Sequence, residues 1–271
     1  MAEKETKNKP KDMIEAVPEE LEKIVDEEKI ITKTDEIKLK ELEAFDKKQR
    51  KKEDKKESLA SWNPKTKLGI EVKSGKEKDI DKILTYGKKI LEPEITDSLL
   101  DLELDYLFIG QAKGKFGGGK RRAWRQTQKK TQEGNVISFS SMVVVGDKNG
   151  HIGIGFGKGK ETLPAKEKAI NKAKLNIIKI QRGFEDPADT LKDDPHTIPF
   201  KVEGKSGSVR ITLYPAPRGT GLVIADECKK ILKLAGIKDV YSRTSRSTRT
   251  TFNLAKACLQ ALTKIMEVRE E

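Results

Sequence analysis

The sequence predicts an α+β protein in which two small folded domains follow a charged N-terminal leader. The composition changes at Trp62, and strand-like segments followed by helix-like segments occur twice after that point. A chain of 271 residues is long enough for about two domains. We predict a largely disordered leader at 1–60, a helical lead-in at 61–105, a first domain at 106–183, a linker at 184–195 and a second domain at 196–271.

The leader is rich in Lys and Glu, has no glycine and has one aromatic residue, Phe45. It therefore has too little apolar surface to offset the entropy lost on ordering. Pro18, Leu21, Ile24 and Val25 indicate a short helix inside it, which is either amphipathic and partnered or simply solvated.

The net charge is +12, and residues 61–271 hold 40 basic and 26 acidic side chains. This surplus favours a polyanionic partner. Cys228 and Cys258 both fall in apolar helical patterns, so we predict no disulfide framework, no metal site and no cofactor. The sequence has no apolar run near the roughly 20 residues of a membrane span, and we predict a cytoplasmic protein without a membrane partner.

The lead-in and the first domain have clear periodicities. Ile80 to Leu91 predict one helix that ends before Pro93. Strands are predicted at 106–110, 137–145 and 151–156, and a helix is predicted from Pro164 onward with Ala169, Ala173 and Ile177 on its inner face.

The second domain repeats strands and helices in a βαβ-type order. Strands are predicted at 200–202, 208–214 and 237–242. One helix carries Ile224 to Ala235 and is closed by Gly236, and a last helix carries Leu254 to Ile265. We expect both helices on one side of a small sheet.

Four alternating glycines, Gly153, Gly155, Gly157 and Gly159, leave one face of a strand without side chains. Their spacing does not fit the dinucleotide fingerprint. A Walker loop is also excluded, because the run Gly204-Lys205-Ser206 has Pro199 where that loop needs its first glycine. A bare face permits either close helix packing or direct RNA contact, and the sequence leaves both open.

The segment from Lys113 to Lys130 has eight basic residues, no acidic residue, three consecutive glycines and Trp124. Cations neutralise phosphates, and an exposed aromatic ring stacks on an unpaired base. A solvated basic loop with Trp124 inside the protein is the alternative. The predicted RNA-binding residues here are Lys113, Lys115, Lys120, Arg121, Arg122, Trp124, Arg125, Lys129 and Lys130, with Lys158 and Lys160 further along the chain.

Arg243, Arg246 and Arg249 recur every three residues before the last helix, which predicts phosphate binding or, alternatively, pairing with local carboxylates. Pro217 to Leu222 resemble the start of a small-molecule kinase phosphate loop, but apolar residues follow where that loop needs serines. His151 and His196 lie in different predicted domains. We predict no enzyme.

Several longer runs resemble the family of the universal fifth protein of the small ribosomal subunit, in its archaeal and eukaryotic branch. Among them are Trp62–Gly69, Val143–Gly150, His196–Val209, Pro215–Gly221 and Thr248–Thr250. The resemblance implies a first domain similar to double-stranded-RNA-binding folds, a second α+β domain, and binding of both to small-subunit ribosomal RNA.

The resemblance also implies small-subunit proteins four and eight as neighbours, a place where messenger RNA enters, and an influence on decoding accuracy. The family's RNA-probing loop would fall at about Lys129 to Asn135, and Arg218, Gly219, Thr220 and Gly221 would face protein four. The segment 111–128 is longer and more basic than this family predicts. A free-standing double-stranded-RNA-binding or RNA-remodelling protein is the alternative.

Overall fold

The structure is a computed structural model that describes residues 59, 61–111, 121–185 and 195–267. The leader 1–60, except Leu59, and most of the predicted linker lie outside these ranges. Residues Ser61–Glu271 form one compact unit. The helices are α1 Lys67–Lys73, α2 Ile80–Thr85, α3 Pro93–Leu99, α4 Thr162–Leu175, α5 Asp226–Ala235 and α6 Thr251–Glu267. The strands are β1 Glu103–Tyr106, β2 Trp124–Thr131, β3 Gly134–Gly146, β4 His151–Gly159, β5 Ile177–Lys179, β6 Val202–Ser206, β7 Val209–Pro215, β8 Leu222–Val223 and β9 Val240–Ser245.

The lead-in contains three short helices, so the prediction of one helix from Ile80 to Leu91 was wrong. Helix α2 ends because Gly87 takes a left-handed conformation, with φ +64°. Ile90 is buried beyond this break, whereas Leu91 is 66% exposed. The apolar side chains still meet in one small core, which consists of Val72, Ile80, Ile83, Ile90 and Ile95.

The carboxylate of Glu92 ties the start of the lead-in to its end. It accepts hydrogen bonds from Trp62 Nε1 at 2.9 Å, from the backbone N–H of Lys65 at 2.9 Å and from that of Thr66 at 2.6 Å. Burial alone would raise the pKa of Glu92, but these bonds lower it from its ordinary value. Thr66 also caps α1 by accepting from the N–H of Gly69.

His151 connects the lead-in to the first sheet. Its ring lies between Asp147 Oδ2, 2.6 Å from Nδ1, and Asp81 Oδ1, 2.8 Å from Nε2. Lys179 pairs with the second oxygen of Asp81 at 2.6 Å. Burial alone would lower the pKa of His151, but the two carboxylates raise it from its ordinary value of 6.5.

The first sheet is built around the long strand β3. Among the described residues it has five strands, with β4 and then β5 on one edge of β3, and β1 and β2 end to end on the other. The predicted strand at 106–110 was wrong, since β1 ends at Tyr106. A Cβ on Gly110 would lie 2.2 Å from the carbonyl oxygen of Trp124, so the chain there packs against the start of β2 instead.

The alternating glycines allow helix α4 to pack directly against the backbone of β4. An added Cβ would lie 2.2 Å from the carbonyl oxygen of Ala173 at Gly153, and 2.0 Å from that of Ala169 at Gly155. At Gly157 it would lie 2.1 Å from the carbonyl oxygen of Ala165. Close helix packing, and not direct RNA contact, therefore explains the bare face of β4.

The second sheet has the strand order β6-β7-β9-β8 in the described ranges. Strands β6, β7 and β9 begin one to three residues later than predicted. Helix α6 packs on the inner face, where a Cβ on Gly204 would lie 2.0 Å from the carbonyl oxygen of Ala257. Helix α5 lies on the same side and ends at Gly236, with φ +81°.

The main core joins the two sheets through α5 and α6. It includes Met142, Val144, Ile152 and Ile154 from the first sheet and Ile211, Leu213, Ile231, Leu232, Cys258 and Leu262 from the second domain. The layers run in the order α4, first sheet, helices α5 and α6, second sheet. None of the helices in the described ranges has the length and apolar character that a membrane crossing requires.

Candidate nucleic-acid interface

One wall of the candidate site comes from three neighbouring strands of the first sheet. Arg125 on β2 pairs with Ser140 on β3, which in turn pairs with Lys158 on β4. Residues in direct register project from the same face of a sheet. Because the glycines of β4 take the α4 side, Phe156 and Lys158 point the other way, toward the second domain.

The opposite wall is the start of helix α6. Arg249, Thr250, Thr251 and Phe252 lie across from the strands, and the Phe252 ring meets the Phe156 ring edge to face with centroids 5.0 Å apart. The walls enclose a cleft of about 710 Å³. We call it the basic cleft, and its lining is Ile109, Gly110, Gln111, Arg121, Arg125, Thr127, Ser140, Phe156, Lys158, Arg249, Thr250, Thr251 and Phe252.

The electrostatics of the basic cleft favour anions. Its lining residues include Arg121, Arg125, Lys158 and Arg249, and within the described ranges no acidic residue lines it. Helix α6 also directs the positive end of its dipole at this wall, since its first residue lines the cleft. Phe156 and Phe252 provide an apolar floor that can contact a ribose or a base.

Glu227 lies outside the cleft lining but is close enough to interact electrostatically with Arg121. Burial raises the pKa of Glu227, although a hydrogen bond from the N–H of Phe108 at 2.9 Å and the charges of Lys230 and Arg121 oppose the increase. This carboxylate balances part of the Arg121 charge.

Trp124 lies on the other side of the first sheet from Arg125. It pairs with Ser141, and the next strand has Gly157 at that level, which faces α4. The ammonium of Lys166 lies 5.8 Å from the Trp124 ring centroid and 5.4 Å from that of Tyr106. The structure therefore separates Trp124 from the cations of the basic cleft.

Strands β2 and β3 continue past β4 as a two-stranded ribbon. Strand β4 pairs with β3 only from Phe139 onward, whereas β2 and β3 pair as far as Thr131 and Gly134. Lys129 and Lys130 are exposed on this ribbon. No strand was predicted at 124–131, where the structure has β2.

The remaining predicted residues are scattered. Arg243 lies on β9 in the second sheet, and Arg246 takes a left-handed conformation, with φ +68°, in the turn before α6. Arg122 and Lys160 are exposed outside the cleft lining. Lys113, Lys115 and Lys120 lie outside the described residues.

A buried carboxylate, that of Asp239, stabilises the turn at Arg218, Gly219, Thr220 and Gly221. Gly219 and Gly221 have positive φ, at +87° and +73°. The N–H of Gly221 donates to Asp239 Oδ1 at 2.7 Å, and the other oxygen of that buried carboxylate lies 3.0 Å from His196 Nδ1. This network fixes the backbone of the turn.

Sequence reasoning missed several residues that line the cleft, among them Thr127, Ser140, Phe156 and Phe252. Phe156 was recoverable, because it alternates with the glycines of β4 just as the predicted Lys158 does. Phe252 carried no such signal, since its contact with Phe156 depends on how the two domains pack.

Two α+β units that jointly form a cation-lined cleft define a class of protein that binds polyanions. Comparison with known proteins is more specific. The family model described as ribosomal protein S5, N-terminal domain, matches residues 123–181, and the model described as ribosomal protein S5, C-terminal domain, matches residues 204–271.

Curated relatives match over most of the chain, and those below are named small ribosomal subunit protein uS5. The protein of Nanoarchaeum equitans is 48% identical over 213 residues, which cover 78% of this chain and 91% of the relative. That of Thermofilum pendens is 44% identical over 204 residues, covering 75% and 93%. That of Methanothermobacter thermautotrophicus is 42% identical over 213 residues, covering 78% and 91%.

The chain belongs to the ribosomal protein S5 family, known as uS5 in the small ribosomal subunit. The resemblance stated from the sequence is thereby confirmed. Members of this family are structural ribosomal proteins and not enzymes, which places the chain among the cytoplasmic ribonucleoproteins of translation.

Proposed function

We propose that the protein is a structural constituent of the small ribosomal subunit that grips folded ribosomal RNA in the basic cleft. The observation that carries this proposal is the convergence of Arg121, Arg125 and Lys158 with Arg249 from the second domain. Four cations around one concave surface suit the closely spaced phosphates of a folded RNA backbone.

The ribbon of β2 and β3 extends the same surface. Lys129 lies two residues beyond Thr127 on β2, and so it projects from the cleft side of the strand. Lys130 projects from the opposite side. A ribbon with cations on both faces can lie against two RNA segments at once, which agrees with the family's RNA-probing loop at Lys129 to Asn135.

Family membership supports finer assignments that we also propose. The first domain is similar to double-stranded-RNA-binding folds. The chain contacts small-subunit proteins four and eight, with the turn at 218–221 toward protein four, and it lies where messenger RNA enters and supports decoding accuracy. A rigid turn, fixed by Asp239, suits contact with a protein surface.

The test of the cleft is a salt series with a cognate small-subunit ribosomal RNA fragment. A variant with Gln at Arg121, Arg125, Lys158 and Arg249 should show a log affinity against log salt slope that is shallower by roughly four, about one for each lost phosphate contact. The matched control places Gln at the exposed lysines Lys67, Lys76, Lys78 and Lys89 of the lead-in. An equal change in slope for both variants would show that overall charge, and not the cleft, holds the RNA.

Sedimentation separates this proposal from the alternative of a free-standing RNA-binding protein. On a sucrose gradient of cell lysate, a ribosomal protein should travel almost wholly with small subunits. A mostly free pool would favour the alternative.

A further inference from the structure

The outer face of the second sheet lies opposite α6. Residues in register on this face are Tyr214 of β7, Tyr241 of β9 and Val223 of β8. Tyr241 is 42% exposed and Val223 is 50% exposed. In the described ranges no helix packs on this side, since α5 and α6 both belong to the core on the inner side.

Cations surround the two tyrosines on this face. The ammonium of Lys201 lies 5.2 Å from the centroid of the Tyr214 ring. Arg243 pairs with Thr212, which lies two residues before Tyr214 on β7. Two residues earlier on the same strand, Arg210 pairs with Lys205 of β6. Successive levels on one face of a strand are about 6.8 Å apart.

Charge decides which kind of partner fits. The face has the cations Lys201, Lys205, Arg210 and Arg243. Among the outward-facing residues of β6, β7 and β9, Glu203 is the acidic one. The outer face of an antiparallel sheet is ordinarily polar, so cations alone would need no partner. A polar face of this kind does not require two adjacent tyrosine rings, and here the half-buried Tyr214 lies beside the exposed Tyr241.

The combination of rings and cations fits single-stranded RNA better than a duplex. Unstacked bases place their flat faces on aromatic rings, whereas a duplex keeps its bases stacked on one another. The phosphates of the same strand would then reach the neighbouring cations.

We propose that the outer face of the second sheet binds a single-stranded RNA segment, with bases on Tyr214 and Tyr241 and phosphates on Lys205, Arg210 and Arg243. We call this surface, with Tyr214, Tyr241 and their neighbouring cations, the platform. It is separate from the basic cleft, whose strand residues belong to the first sheet. The proposal therefore does not depend on RNA binding in the cleft.

Crosslinking locates the platform even if RNA also occupies the cleft. A decauridylate that contains 4-thiouridine should crosslink the full-length chain at Tyr214 or Tyr241 on irradiation, as mapped by mass spectrometry. An excess of unlabelled decauridylate should remove the crosslink, and an RNA duplex of the same length should not. Absence of a crosslink at both tyrosines, or equal competition by the duplex, would overturn the proposal.

Binding titrations add a quantitative arm. Loss of one stacked base in Tyr241→Thr should weaken decauridylate binding about tenfold without changing the salt slope. Arg210→Gln with Arg243→Gln should lower the slope by about 1.4, since single strands release about 0.7 counterion per contact. Tyr86→Thr is the matched control, because Tyr86 is 76% exposed in the lead-in. An equal loss in the control would refute a specific platform.

The intact small subunit supplies the last test. Irradiation of purified subunits should join Tyr214 or Tyr241 to ribosomal RNA. A crosslink from these tyrosines to a neighbouring protein would show that the face is a protein interface and would overturn the RNA assignment.

Discussion

Gly155→Ala should destabilise the protein strongly, because the added methyl group meets backbone atoms of α4. Its Cβ would lie 2.0 Å from the carbonyl oxygen of Ala169 and 2.3 Å from the amide nitrogen of Ala173, whereas ordinary contact begins at 3.4 Å. Backbone atoms cannot rotate away as side chains do, so the helix must move by about 1.4 Å at this point.

The magnitude follows from this displacement. Overpacking a dense core costs about 1–3 kcal/mol, and a separation of this size also forfeits dispersion contacts along α4. Alanine recovers up to about 1 kcal/mol through the entropy of the unfolded chain. We expect a net loss of about 2–3 kcal/mol in the free energy of unfolding, or roughly 4–12 °C in melting temperature.

Urea unfolding followed by circular dichroism measures this loss. Gly159→Ala is the matched control, because Gly159 is on the same face of β4 but its added Cβ would lie 3.2 Å from the nearest atoms of Glu161 and Ala165. We expect the control to lose less than about 1 kcal/mol. Equal stability of Gly155→Ala and wild type would refute the explanation that the glycines permit close packing of α4 on β4.

Three further predictions concern the rest of the fold. The pKa of His151 is raised above 6.5, and those of Asp81 and Asp147 are lowered below 3.8, so their pairing should stabilise the fold most between about pH 4 and 6.5. In this pH range His151→Gln should be about 1.5 kcal/mol less stable than wild type. The difference should shrink as the pH rises through the raised pKa of His151, and a difference that does not depend on pH would contradict the explanation. Asp239→Ala should lower the free energy of unfolding by about 1–3 kcal/mol, because it leaves the N–H of Gly221 and the ring of His196 without their partner. Urea unfolding measures the loss, and an unchanged midpoint would show that other contacts hold the turn. Removal of residues 1–60 should leave the melting temperature nearly unchanged, because the apolar cores in the described part of the chain are built from residues after Ser61. A large decrease would show that the leader contributes to the folded body.

Periodicity predicted the elements whose apolar residues recur regularly. The helices α4, α5 and α6 appear close to where the stripes of Ala169, Ile231 and Leu262 place them. Strand β2 has mostly polar side chains and is largely exposed, so it has no apolar alternation to detect. Its structure comes from pairing with β3, which is a long-range interaction that a local pattern does not contain.

The sequence predicted RNA binding by the basic residues of the candidate site, but not that they come together in one cleft. Arg121, Arg125, Lys158 and Arg249 were each predicted to bind RNA, but they lie on three separate segments of two domains. Their convergence depends on α6 packing between the two sheets, which no spacing in the sequence encodes. Alternation along β9 places Arg243 on the outer face of the second sheet, whereas Arg249 lines the cleft.

The basic cleft is preorganised because the two domains share a rigid joint, and this leads to a last prediction. Lys230 on α5 donates to Asp105 at 3.1 Å and to the carbonyl oxygen of Tyr106 at 2.6 Å, and the N–H of Lys148 donates to the carbonyl oxygen of Leu234 at 2.9 Å. A joint held by such contacts lets RNA bind without the entropic cost of bringing the walls together. Lys230→Met should therefore weaken RNA binding roughly two- to fivefold and leave the salt slope unchanged, because Lys230 holds the walls and contacts no phosphate. A lower slope in this variant would mean that Lys230 itself contacts the RNA, and unchanged affinity would mean that the walls keep their separation without it.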